Sequence, residues 1–143
     1  MKLLTFLLGF LFLAPSPAGN TADTILGLWR NGTGKGHIQI FKNGGKYHGK
    51  IVWLMDAKDE AGKPKVDKKN EDPNLRDRPL IGLIMLQNFV YQDGKWENGR
   101  IYNPSDGKEY KAYLKLQNPN TLQVRGYVGI SLLGKTDTWT RVK

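Results

Sequence analysis

Trp96-Glu97-Asn98-Gly99-Arg100-Ile101-Tyr102-Asn103-Pro104-Ser105-Asp106-Gly107 holds one strand and the turn that ends it, and further units of the same kind follow at Glu109 to Leu116, Thr121 to Val128 and Lys135 to Val142. Short aromatic-anchored runs divided by Asp-Gly, Asn-Pro and Gly turns are the pattern of an antiparallel meander. Upstream, Ile25 to Arg30 and His37 to Lys42 alternate, and Asn43-Gly44-Gly45-Lys46 turns the chain into Tyr47 to Met55. The run from Ile84 to Gln92 turns through Asp93-Gly94-Lys95 into the Trp96 strand. Eight strands result, enough to close into a barrel whose interior is filled by side chains or holds one small ligand. Closure also removes sheet edges that a chain this rich in Val, Ile, Tyr and Trp would expose. The expected fold is therefore all-β: a single antiparallel eight-stranded up-and-down barrel with one long loop between strands 3 and 4.

Alternation sets the inward faces. Tyr110, Ala112, Leu114 and Leu116 oppose Lys111, Tyr113 and Lys115, and Leu122, Val124, Gly126 and Val128 oppose Gln123, Arg125 and Tyr127. The apolar faces belong inside. In the last strand Thr136, Thr138 and Thr140 oppose Lys135, Asp137 and Trp139, and neither face is plainly apolar. From Asp56 to Asn74 the composition shifts to Lys, Asp, Glu, Gly and Pro, which predicts a loop projecting into solvent, and Leu75 to Pro79 is expected to form one helical turn.

Compartment is read from the first residues. Lys2 precedes an apolar run from Leu3 to Leu13, and Ala14-Pro15-Ser16-Pro17-Ala18 then supplies small residues and helix breakers, the layout of a secretory signal peptide over residues 1–18. The run is shorter than the about 20 residues a membrane-spanning helix needs. Cleavage is expected after Ala18, with Ala22 as the alternative, leaving one domain over residues 19–143 in the periplasm or outside the cell, with no transmembrane helix. The chain has no Cys, so neither disulfides nor a lipid-modified Cys are available, and stability must come from the core.

Lys and Arg total 22 against 13 acidic residues, a net charge of +9. Such a chain is drawn to anionic envelope surfaces. Nucleic acid is the poorer partner, because the basic residues are mostly Lys scattered through loops and alternating strand positions, with no aromatic-basic platform.

Several spaced motifs carry a resemblance. Gly27-Leu28-Trp29, Gly49-Lys50-Ile51-Val52, Leu75-Arg76-Asp77-Arg78-Pro79-Leu80-Ile81-Gly82-Leu83, the Trp96 to Gly107 stretch, Arg125-Gly126-Tyr127-Val128-Gly129-Ile130 and Thr138-Trp139-Thr140-Arg141-Val142 together resemble the uncharacterised bacterial export family domain of unknown function 2147. Asn70-Glu71-Asp72-Pro73 and Asn103 depart from the family pattern and argue against a metal in those loops. Gly27-Leu28-Trp29 and Arg141 also look like the lipocalin arrangement, in which a first-strand Trp packs beneath a late-strand Arg at the closed end. This resemblance implies a lipocalin- or calycin-like barrel with Trp29 and Arg141 as a structural pair.

Catalytic constellations are poor. His37 and His48 lie across a hairpin and could approach one another, but no carboxylate or Cys stands beside them at a metal-ligand spacing. Ser105 and Ser131 lack a nucleophile elbow and a His partner. The carboxylates of the long loop, Asp56, Asp59, Glu60, Asp67, Glu71 and Asp72, are interleaved with Lys and read as solvated, mutually compensating charge rather than an acid and base pair. Neither a cofactor nor a metal is expected, and the chain reads as a non-enzymatic protein.

Two groups of residues remain as ligand-binding candidates. Arg125 and Tyr127, two apart on a strand, share one face and resemble the pair by which the fatty-acid-binding branch of the calycins clamps a carboxylate; Arg supplies a fork and Tyr a hydroxyl. Arg76 and Arg78 flank Asp77 beside a rigid Pro, either as an anion site at the barrel mouth or as a latch for the loop. The expectation is an exported binding protein for a small amphipathic or acidic ligand or an envelope lipid component. The alternative is an envelope-surface or protein-interaction module with a filled core, and the volume of the interior separates the two.

Overall fold

A computed structural model describes residues 18–143, and the apolar run from Leu3 to Leu13 lies outside them. A short helix, α1 (Ala18–Asp23), leads into β1 (Gly27–Arg30), β2 (Gly36–Asn43), β3 (Lys46–Leu54), β4 (Ile84–Gln92), β5 (Lys95–Asn103), β6 (Lys108–Asn118), β7 (Thr121–Tyr127) and β8 (Gly134–Arg141). Each strand pairs antiparallel with the next, and β8 returns to β1 to close the barrel, with Arg141 opposite Trp29 and Thr140 opposite Arg30. The chain is thus a closed eight-stranded meander. Among the described residues no helix is long and apolar enough to cross a membrane.

Local chemistry explains the turns. Asp93 and Gly94 both hold positive φ, 51° and 81°, between β4 and β5. Two such residues make the tight hairpin whose twist matches that of the strands, and Asp-Gly adopts it at little cost.

The lumen is filled. Trp29, Trp96, Trp139 and Phe89 are fully buried with Ile38, Leu86, Leu114, Leu122 and Val124, one cluster reaching across all the strands. Each buried indole N–H has a partner: Trp29 Nε1 donates to Ile25 O at 2.9 Å, Trp96 Nε1 to Ala22 O at 3.2 Å and Trp139 Nε1 to Asp137 Oδ2 at 2.8 Å. These aromatics therefore bury area without stranding a donor. β8 supplies the core through Trp139 alone, which is why its alternation is weak in sequence.

One end of the barrel is sealed. The Arg141 guanidinium lies 4.3 Å from the Trp29 ring and donates to Leu26 O at 2.9 Å, Thr24 O at 2.6 Å and Pro119 O at 3.0 Å. It ties the segment after α1 to the β6–β7 turn. Tyr47 donates its hydroxyl to Asp23 at 2.5 Å, so α1 is pinned to β3 at the same end.

The four remaining connections gather at the opposite end, the mouth, as meander topology requires. Here the structure corrects an expectation. The segment after β3 is largely exposed but does not project freely: it folds back through bridges between Lys58 and Pro64 and between Val66 and Pro79, and it buries Asp67 and Asn70. Its helical turn is a 3-10 turn at Pro73–Leu75, two residues earlier than expected. Asp72 caps that turn by accepting from Asn74 N at 2.9 Å, and Pro73 fits the first helical position because its missing N–H would be unpaired there anyway.

Candidate functional site

Asp67 organises the mouth. Its carboxylate is fully buried and accepts from Tyr102 Oη at 2.6 Å, Arg78 Nε at 2.9 Å and Asn70 Nδ2 at 2.9 Å. Burial by itself would raise the Asp67 pKa, but the hydrogen bonds from Tyr102, Asn70 and Arg78, with the Arg78 charge, outweigh it and hold the carboxyl below its ordinary value. Burial and the bond to Asp67 push the Tyr102 hydroxyl up. Arg78 also lies 5.3 Å from the Tyr102 ring, and Arg76 Nε donates to Asn70 O at 2.7 Å. Arg76 and Arg78 therefore both hold the loop, Arg76 through a backbone carbonyl and Arg78 through Asp67 rather than Asp77.

A second contact fixes the same loop to the β5–β6 turn. Lys69 Nζ donates to Ser105 O at 2.9 Å, and Lys69 O sits so close to Gly107 that a Cβ there would lie 1.9 Å away. Gly107, at φ 73°, permits both the turn and the approach.

Sequence reasoning missed Asp67 by treating the loop carboxylates alike. The available signal was Val66, the one branched aliphatic between Asp56 and Asn74, directly before it.

Two clefts border this loop, and neither opens into the lumen. The first, about 400 Å³, lies between the 3-10 turn and the barrel wall, with Leu75, Ile84 and Met85 as apolar lining, Arg78, Arg100 and Tyr102 as polar lining, and the carboxylates of Glu71, Asp72 and Glu109 at its border. Arg100 is paired only loosely with Glu109, at 3.4 Å between half-exposed side chains. The second is a broader groove of about 990 Å³ between the loop and Pro104 and Ser105, lined by Lys58, Lys65, Lys68 and Lys69 together with Asp56, Asp59 and Glu60.

Arg125 and Tyr127 do share a strand face, but it is the outer one. Leu122 and Val124 fill the core, so the alternate residues point away from it. Arg125 is already occupied: Nε donates to Ser131 O at 2.7 Å, Nη1 to Thr136 Oγ1 at 2.8 Å and Nη2 to Leu132 O at 3.3 Å. It holds the β7–β8 loop and does not reach a ligand inside the barrel. Tyr127 packs beside Tyr113, ring centroids 6.4 Å apart.

The histidines do not meet. His37 lies against Trp53, ring centroids 4.4 Å apart, and accepts from Arg30 Nε at 3.3 Å. His48 packs on Phe41, and its Nδ1 accepts from Asn88 N at 3.3 Å. Among the described residues no three of His, Cys, Asp and Glu converge as metal ligands.

Comparison with known proteins agrees with this architecture. No curated protein matches the chain. A solved structure, protein HP1028 from the human pathogen Helicobacter pylori, described as belonging to the lipocalin family, superposes with a TM-score of 0.66 at 29% identity, over 76% of this chain and 73% of that one. The family model described as "Uncharacterized protein conserved in bacteria (DUF2147)" matches residues 27–141, nearly the whole barrel. The chain therefore belongs to the DUF2147 family, with a lipocalin-like barrel as its fold.

Proposed function

We propose that this is a non-enzymatic, exported binding protein whose small acidic amphipathic ligand lies in the cleft beneath the latched loop, outside the lumen. The observation that carries this reading is one cleft of about 400 Å³ in which Leu75, Ile84 and Met85 share the lining with Arg78 and Arg100, beside Glu71, Asp72 and Glu109. Its volume falls within the roughly 300 to 1,000 Å³ of small-molecule sites. Apolar lining suits a short chain, and Arg100, whose contact with Glu109 is long and exposed, is the cation an acidic head would recruit, Arg78 being engaged by Asp67. Arg76, held by Asn70 O, positions the loop that forms the cleft wall. Lipocalin-like barrels are binding scaffolds, which supports the class.

The probe pair is dodecanoate and dodecanol, and the variant is Arg100→Met, which leaves the Asp67 latch untouched. A lost charge-assisted contact should weaken dodecanoate about tenfold or more while changing dodecanol little. Equal losses for both, or no binding of dodecanoate by the native protein, would overturn the cleft.

The filled lumen favours a second reading, a surface module acting through its mouth loops and basic exterior. Under that reading the native protein binds neither probe and instead associates with an envelope surface or a protein.

A further inference from the structure

The β7–β8 loop carries Val128, Ile130, Leu132 and Leu133 at 66%, 58%, 82% and 69% exposure. Four aliphatic side chains on one hairpin tip are a contiguous apolar feature with no packing role in the barrel. We propose that this tip inserts into the interfacial region of an anionic phospholipid bilayer, docking the protein mouth-first. The inference rests on the surface-module reading and narrows it to one hairpin and one partner; it is independent of the cleft.

Three observations point to lipid. First, five of the six tip carbonyls from Val128 to Leu133 accept a hydrogen bond from within the loop or from Arg125. Val128 N donates to Leu133 O at 3.3 Å, Ile130 N to Val128 O at 3.0 Å and Leu133 N to Ile130 O at 3.0 Å, while Arg125 covers Ser131 O and Leu132 O. Hydrocarbon offers no partner to a bare carbonyl, so a segment entering it must bring its own, and this loop brings five. In water the same arrangement has no such necessity.

Second, polarity is layered along the hairpin. Tyr127 follows directly below the apolar tip, and Lys111 and Lys135 lie at its base, with Lys111 opposite Tyr127 and Lys135 opposite Gly126 in the strand register. At about 3.3 Å per residue, the Arg125 backbone stands roughly 10 Å below Val128, while its guanidinium reaches up to the Ser131 and Leu132 carbonyls. Apolar tip, aromatic ring, then cations is the order that acyl chains, the interface and anionic headgroups favour. Asp137, the acidic residue of β8, is turned to Gly32 N and Trp139 Nε1.

Third, the feature is narrow. A stable protein interface takes about 800 Å² from each partner, whereas a single hairpin tip can enter a bilayer alone.

The test uses the full chain and vesicles of phosphatidylcholine with or without phosphatidylglycerol. The leader segment is common to every variant, so comparisons between variants isolate the tip. Because the chain has no Cys, L132C and Q92C each take one environment-sensitive fluorophore, Gln92 being exposed at the opposite end. The label at 132 should shift to the blue on phosphatidylglycerol vesicles and the label at 92 should not. The double change L132S and L133S should lower partitioning by about tenfold or more, and K111Q with K135Q by about tenfold, with loss of the preference for phosphatidylglycerol. Binding with an unshifted label at 132, or binding unaffected by the Leu changes, would overturn insertion. So would concentration-dependent dimers that bury the label without vesicles, since the occupant would then be a second copy of this chain.

Discussion

Arg141 and Arg125 each hold backbone carbonyls with a guanidinium, at opposite ends of the barrel and to opposite effect. Arg141 lies over buried Trp29 and draws three carbonyls of the surrounding chain into a sealed end. Arg125 stands on the outer wall and props open a loop whose apolar side chains meet solvent. The sealed end concentrates burial and satisfied donors. The mouth concentrates clefts, unpaired surface and a loop held by one buried carboxylate. Stabilising contacts thus gather at one end of the barrel axis and the proposed binding surfaces at the other, and contacts displayed on loops over a rigid scaffold follow the general habit of folded domains.

The largest effect should come from breaking the sealed end. Arg141→Met keeps much of the stem but removes the stacked cation and three hydrogen bonds, and should cost about 3 kcal/mol in urea unfolding. A loss below about 0.5 kcal/mol would mean that the sealed end contributes no more than an ordinary surface.

Asp67→Ala, at the mouth, should be milder, about 2 kcal/mol. It should raise amide hydrogen exchange at residues 67–80 and leave that of β6 to β8 unchanged, since the latch anchors a loop and not the barrel. Acid should act in the same place. The folded Asp67 carboxyl titrates below its ordinary value of 3.8, so its contribution is complete above that value and is lost as pH falls through the depressed folded pKa. The protection factors of the loop amides, exchange corrected for its intrinsic pH dependence, should therefore stay flat from about pH 7 to 5 and fall only below about pH 4. A fall near pH 6 would point to another group.

The smallest effect should come from the apolar tip. Changing Leu132 and Leu133 together to Ser should shift stability by less than about 0.5 kcal/mol, because neither side chain packs on the core. A loss of 2 kcal/mol would place them in the fold and not on a docking surface.

All eight strands were legible because each declares itself locally, through turn residues at its ends and, in all but β8, through period-two alternation. The Trp29–Arg141 pair came from a family likeness. Asp67 was not legible: its partners Tyr102 and Arg78 lie 35 and 11 residues away, and its neighbours form a charge-balanced run that hides one carboxylate among several. Arg125 was legible but misassigned. The two-residue spacing places Arg125 and Tyr127 on one face without saying which, yet the same alternation that puts Leu122 and Val124 inside puts this pair outside. The apolar tip stands in plain view as Val128-Gly129-Ile130-Ser131-Leu132-Leu133, but alternation carried Val128 to the interior, whereas β7 ends at Tyr127 and the residue beyond it is exposed.

Methyl and amide NMR shifts on titration with dodecanoate test most directly whether binding belongs to the mouth and stability to the lumen. Shifts should cluster at Leu75, Ile84, Met85 and Arg100 around the cleft and leave the methyls of Ile38, Leu114, Leu122 and Val124 unmoved. Saturable shifts on those four core methyls, with the cleft silent, would place the ligand inside the barrel and contradict the separation of the two ends.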